Sequence, residues 1–192
     1  MKFSQENTLN IVQHSNLFNN SLSTQKLLMH VHCCLRLSIE CNYKDLEGNK
    51  LDGIFNEKYP IIIDGDRLKD NYTQIEKSIN RSFNSPKSVD IMFITENNEL
   101  IFTEYKFNKY SFNEIFKTIE EKINSLLCIL EPLLDKYNLV YPVYVLYRDK
   151  DIENIKDIYY SKLDELDSED QESIYRKCQP TTIKDLYENF FG

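Results

Sequence analysis

The sequence predicts an α/β fold with a mixed central sheet flanked by helices, and three stretches carry that prediction. "YPIIIDGDR" holds a short β-branched run at 61–63, closed by Asp64-Gly65. "SVDIMFITENNELIFTEYKF", residues 88–107, places two apolar runs around a polar knot and predicts a β-hairpin. From Ser111, a long amphipathic run leads into "LVYPVYVLYR", a further strand. A hairpin can be antiparallel, but a strand returning through a crossover helix lies parallel, so the sheet must be mixed.

The remaining elements follow in order. Residues 1–23 are polar with sparse apolar positions and predict a short helix or an ordered arm. Ser23 suits the cap of a helix over 24–41, "TQKLLMHVHCCLRLSIEC", whose apolar residues lie almost all round. Residues 42–58 carry two of the four glycines and predict a loop or hairpin. A helix over 70–82 is predicted from Tyr72, Ile75 and Ile79. In the long helix, Phe112, Ile115, Phe116, Ile119, Ile123, Leu126, Leu127 and Leu130 form one stripe, Ser111 and Glu114 form a capping box, and Pro132 ends or kinks it. Helices are expected over about 151–166 and in "TTIKDLYENFF". With no internal repeat and no Gly-, Pro- or Ser-rich linker, the 192 residues are expected to form one domain: an arm (1–23), a core (24–148) and an acidic helical extension (149–192).

Composition excludes several classes. No apolar run reaches the ~20 residues of a membrane span, and the N-terminus lacks a signal-peptide pattern. Five irregularly spaced cysteines do not make a disulfide framework, so a reduced, cytoplasmic protein is expected. The net charge of −8 is concentrated: residues 149–173 hold ten acids and three lysines, whereas 1–148 hold nineteen acids and seventeen bases. No basic surface announces nucleic-acid binding, and the acidic run suits either a solvated helix face or a basic protein partner.

Three charges interrupt the most strand-like segments. By alternation Leu100, Phe102, Glu104 and Lys106 share one face of a strand. An uncompensated buried charge costs several kcal/mol, so Glu104 needs either a pairing lysine or an ion. Glu104 with Lys106 alone describes a structural ion pair. With Asp90 added, two carboxylates converging from adjacent strands make a hard, oxygen-rich site for Mg²⁺ or Mn²⁺, beside a lysine able to orient water at a phosphate. "HVHCC" (His30, His32, Cys33, Cys34) has no metal-ligand spacing and suits a buried core. Asp64 and Asp66 in "IIIDGDR" suit a strand-ending turn better than a D-x-D metal site.

Asp90, followed fourteen positions later by Glu104-Tyr105-Lys106 in a strand–hairpin–strand ahead of an amphipathic helix and a strand, resembles the PD-(D/E)XK nuclease superfamily. The resemblance spans about 24–148 and implies a restriction-endonuclease-like αβββαβ core, here with extra C-terminal helices. It implies that Asp90 and Glu104 bind Mg²⁺ or Mn²⁺, that Lys106 assists the attacking water, and that the substrate is nucleic acid, DNA before RNA. Pro86 stands four residues before Asp90, so the literal Pro-Asp pair is absent. Members also draw an acid from the helix before the sheet, for which Glu40 is the first candidate and Glu76 the second, with Lys122 as an auxiliary residue. Many members dimerise. The rival expectation is a non-catalytic immunity or regulatory protein on the same fold, holding a partner through 149–173. The hairpin turn discriminates: a two-residue turn at Asn97-Asn98 sets Asp90 opposite Tyr105 and away from Glu104, whereas a three-residue loop, a bulge or a bend at Asp90 brings the carboxylates together.

Overall fold

The computed structural model describes residues 2–14, 28–30, 61–106, 112–131, 136–139, 142–166 and 173–192. These form helices α1 (Gln5–His14), α2 (Gly65–Ile79), α3 (Phe112–Leu130), α4 (Ile152–Glu165) and α5 (Ile183–Phe190). The strands are β1 (Leu28–His30), β2 (Ile61–Asp64), β3 (Ile91–Ile94), β4 (Glu99–Tyr105), β5 (Asn138–Leu139), β6 (Val143–Tyr147) and β7 (Cys178–Thr182). They make one sheet in the order β1-β2-β3-β4-β6-β7, with β5 also on β4. The β1–β4 pairs are antiparallel, and β4, β6 and β7 run parallel. The protein is therefore α/β with a mixed sheet flanked by helices. Since β2 and β4 both oppose β3, the carboxyl ends of β2, β4, β6 and β7 lie along one edge.

Each face of the sheet has its own core. On one, Met92, Ile94, Leu100, Phe102, Val143 and Val145 meet Leu68 of α2, the α3 stripe from Ile115 to Leu130, and Ile152, Ile155 and Tyr159 of α4. On the other, Ile62, Ile91, Phe93, Ile101 and Leu146 meet Leu186 and Phe190 of α5, with Phe3 alongside. Burial of such side chains stabilises by about 1.5–3 kcal/mol each. The N-terminal segment also completes hydrogen bonding beside β3, because β2 pairs β3 only at Ile91 and Met92. The amide of Ser4 donates to the Ile94 carbonyl at 2.8 Å, and the Ile94 amide donates to Thr8 Oγ1 at 3.0 Å. The ordered arm expected over the first residues is thus a strap running into α1.

Four expectations change. Leu28–His30 lies inside the helix expected over 24–41 but is a strand on β2, since an apolar run gives no period that separates a buried helix from a buried strand. The helix expected from residue 70 begins at Gly65, where Asp64 ends β2 and caps α2 by accepting from the Arg67 amide at 3.1 Å. The strand expected across 139–148 is divided into β5 and β6. The C-terminal extension, expected to be helical, contributes β7, which holds Pro180; at the end of the sheet order, a missing N–H is tolerated. The Ser111–Glu114 capping box, Pro132, His32, Cys33 and Cys34 lie outside what is described, as do the side chain of His30 and residues 167–172 of the acidic run.

Gly65 is required by a close approach. Its amide donates to the Asp90 carbonyl at 3.1 Å, and a Cβ there would lie 1.9 Å from the Val89 carbonyl oxygen. Both contacts are backbone, so alanine forces β2–α2 away from β3. Gly65→Ala is expected to cost about 1–3 kcal/mol, read as a lower urea midpoint at unchanged m-value.

Candidate active site

The turn joining β3 to β4 decides which charges meet. The Thr95 amide donates to the Glu99 carbonyl at 2.9 Å, leaving Glu96, Asn97 and Asn98 as a three-residue loop. Asn98 sits at φ 60°, the left-handed conformation such a loop needs and that asparagine tolerates. The register then pairs Ile91 with Thr103 and Met92 with Phe102. Carried one residue further, it sets Asp90 level with Glu104. Alternation from Met92 and Phe102 puts both on the α3 face. Asp90 Oδ2 accepts from the Tyr105 amide at 2.6 Å, which fixes its carboxylate against the end of β4.

Glu104 is fully buried at 0% exposure. Its Oε1 accepts from Lys106 Nζ and from Lys122 Nζ, the latter at 2.5 Å. The two lysine side chains are 9% and 17% exposed. Lys122 reaches the sheet because it borders the stripe by which α3 packs, three and one residues from buried Ile119 and Ile123. The other oxygen, Glu104 Oε2, is buried with no hydrogen-bond partner among the described residues. A buried carboxylate oxygen left bare is costly, and it is the atom a cation would take.

Asp90 feels this neighbourhood. Burial first, and the Glu104 charge second, push its carboxyl up to about 7, against the pull of Lys122, the Tyr105 amide and Lys106. At the lip stands Asp66, in the first turn of α2, with a side chain 66% exposed. It accepts from Ser88 Oγ at 2.7 Å and from Lys69 Nζ at 2.8 Å. Burial works to raise its carboxyl, but those bonds and the charges of Lys69 and Lys122 hold it below the usual value.

The structure thus brings together Asp90, Glu104, Lys106 and Lys122. Glu40 lies outside the described residues. Glu76 acts on Tyr72, whose other charged neighbours include Glu131, just past the C-terminal end of α3. The acid that α2 does bring close is Asp66, set aside in the sequence as part of a turn. Its signal was position, since an acid one residue into a helix leaving the sheet edge stands beside whatever that edge holds. Among the described residues no group of three His, Cys, Asp or Glu side chains is arranged to hold an ion. Two carboxylates with one bare oxygen still suit Mg²⁺, which keeps several waters and takes one or two protein carboxylates with substrate phosphate. No family model, curated protein or solved structure matches this chain. Among the described residues no helix is long and apolar enough to cross a membrane.

Proposed function

We propose that the chain is a divalent-metal-dependent nuclease of the PD-(D/E)XK kind, acting on DNA in preference to RNA. The observation that carries this reading is the convergence of Asp90, Glu104 and Lys106 on one sheet face, with Glu104 Oε2 buried and unpartnered among the described residues. The topology supports it: β2-β3-β4, then α3, then β6 parallel to β4 follows the strand order of that core, with α2 inserted after the first strand. The site also lies at the carboxyl ends of the parallel strands, where open α/β sheets place ligands.

Asp90 and Glu104 would hold the ion, which would supply Lewis-acid polarisation of the phosphate and a more acidic water. Lys106 Nζ, already bonded to Glu104 Oε1, donates to the attacking water and orients its lone pair toward phosphorus. That oxygen forms the new P–O bond as the ester P–O bond breaks. The water's proton leaves to solvent, and the departing oxygen takes one up. Because Asp90 must lose its proton to hold a cation, metal affinity rises with pH up to about 7.

Glu104→Gln and Lys106→Met keep the shape of the site and remove one charge each. Each is expected to lower Mg²⁺- or Mn²⁺-dependent cleavage of duplex DNA by about a hundredfold or more. Cleavage at the wild-type rate in either folded variant would refute the assignment. A second reading, a non-catalytic protein binding a basic partner, is favoured by the solvent face of α4, where Glu153, Asp157, Asp164 and Glu165 surround exposed Ile158 and Tyr160. It requires that no metal supports cleavage and that neutralising 149–173 dissolves a complex.

A further inference from the structure

Lys122 joins the floor of the site to its lip, a role that Asp90, Glu104 and Lys106 do not fill. From α3 it bonds Glu104 Oε1 at the floor, while its charge acts on Asp66 at the exposed lip and on Asp90 between them. Both lysines crowd the same oxygen and leave Oε2 without a partner among the described residues. Without an ion, and with Asp90 ionised, two carboxylates face two ammonium groups and the floor is close to electroneutral. A divalent cation on Oε2 places three cationic centres around one carboxylate, and their mutual repulsion in a buried site is strong. One lysine must yield. Lys106 is anchored where β4 ends, its own amide donating to the Leu146 carbonyl at 2.9 Å. Lys122 hangs from a helix by its flexible stem and is the more exposed of the two.

We propose that Lys122 guards Glu104 in the ion-free protein and, when a divalent cation takes Glu104, turns outward to contact a non-bridging oxygen of the phosphodiester. This rests on the nuclease reading and adds a second cation to it. With the ion bound, the floor carries two positive charges in excess. That complements a phosphodiester under attack by hydroxide, which has two negative charges. The same residue therefore opposes metal binding and favours the transition state.

The test uses the whole chain, with Mn²⁺ as the probe. Lys122→Met keeps the stem, and Lys106 still pairs Glu104, so the fold is retained; Lys122→Gln carries the same test should the methionine variant not fold. Free Mn²⁺ is followed by electron paramagnetic resonance in wild type, Lys122→Met and Glu104→Gln, and single-turnover cleavage of a linear duplex is followed at saturating Mn²⁺. Lys122→Met is expected to bind Mn²⁺ about tenfold tighter, equivalent to ~1.4 kcal/mol. It is also expected to cleave about tenfold more slowly or worse, with the KM for DNA raised. Lys122→Arg, which keeps the charge, is expected to restore both toward wild type. A purely structural lysine gives the opposite on the first count, metal binding unchanged or weakened. Either that result or undiminished cleavage overturns the proposal. If Glu104→Gln alone loses Mn²⁺ while Lys122→Met behaves as wild type, only the role of Lys122 falls. If wild type binds no more Mn²⁺ than Glu104→Gln, the nuclease reading falls and this proposal with it.

Discussion

Truncating Glu104 to alanine is expected to destabilise the protein by about 3–5 kcal/mol, a large share of a typical domain's stability. The loss comes from the lysines rather than from the carboxylate. Lys106 and Lys122 are 9% and 17% exposed and converge on one oxygen of a buried side chain. Without it, two ammonium groups face each other across a cavity in a poorly hydrated site. Replacing the whole cluster behaves differently, because buried ion clusters exchanged for apolar side chains of similar volume are often neutral or stabilising. The triple variant Glu104→Leu, Lys106→Met, Lys122→Met is therefore expected to recover most of the stability lost by the alanine variant. Urea denaturation of the two variants and wild type reads both effects. A loss below about 1 kcal/mol in Glu104→Ala would mean that water reaches the cluster and screens it, as at an exposed ion pair. Recovery in the triple variant would show that the fold itself has no need of these charges. A charge cluster that folding does not require is a candidate functional site. For the same reason glutamine, not alanine, is the substitution with which to read activity.

Strand alternation put Glu104 and Lys106 on one face, and the α3 stripe placed Lys122 at its border, because each follows from a period of two or 3.6 residues. The partnership of Asp90 with Glu104 could not be read the same way. It depended on whether Asn97-Asn98 turned in two residues or three, and asparagine accepts the left-handed conformation of both; the structure settles the loop at three, with Asn98 at φ 60°. Strands β1 and β7 were illegible for reasons of context. Leu28–His30 sits in an apolar run that fits helix and strand alike, and Pro180 is tolerated only because of where β7 falls in the sheet order. Asp64-Gly65 is a turn signal that here caps a helix. The capping oxygen is local, but the need for glycine comes from Val89, which only the folded sheet brings near. Asp66 was missed with them, since what it meets, the Ser88 hydroxyl and the charge of Lys122, comes from distant parts of the chain.

Asp90→Asn is expected to make the protein more stable at pH 8, not less. Burial and the Glu104 charge hold the folded carboxyl near 7, whereas an unfolded aspartate titrates near 3.8. Between those values the folded state keeps a proton that the unfolded chain has lost. Raising the pH from 4 to 7 therefore favours unfolding, and by pH 8 the whole penalty is present. Moving a carboxyl from 3.8 to about 7 sets an upper bound of ~4 kcal/mol. Because asparagine is itself a polar group that pays a desolvation cost at this largely buried position, the expected gain in the variant is about 1–3 kcal/mol. Asparagine has no charge at any pH, and its Oδ1 can still accept from the Tyr105 amide that Asp90 binds at 2.6 Å. Urea midpoints at pH 4 should thus be alike for the two proteins and diverge in favour of the variant as the pH climbs. Mg²⁺ or Mn²⁺ at pH 8 should stabilise wild type alone and narrow the gap, since the ion relieves the repulsion that the substitution removes. A variant less stable than wild type at pH 8 would mean that the Asp90 carboxylate contributes net stability to the fold. The case for Asp90 as a group held at a cost for its chemistry would then be lost, because only a residue that folding disfavours calls for a reason beyond folding.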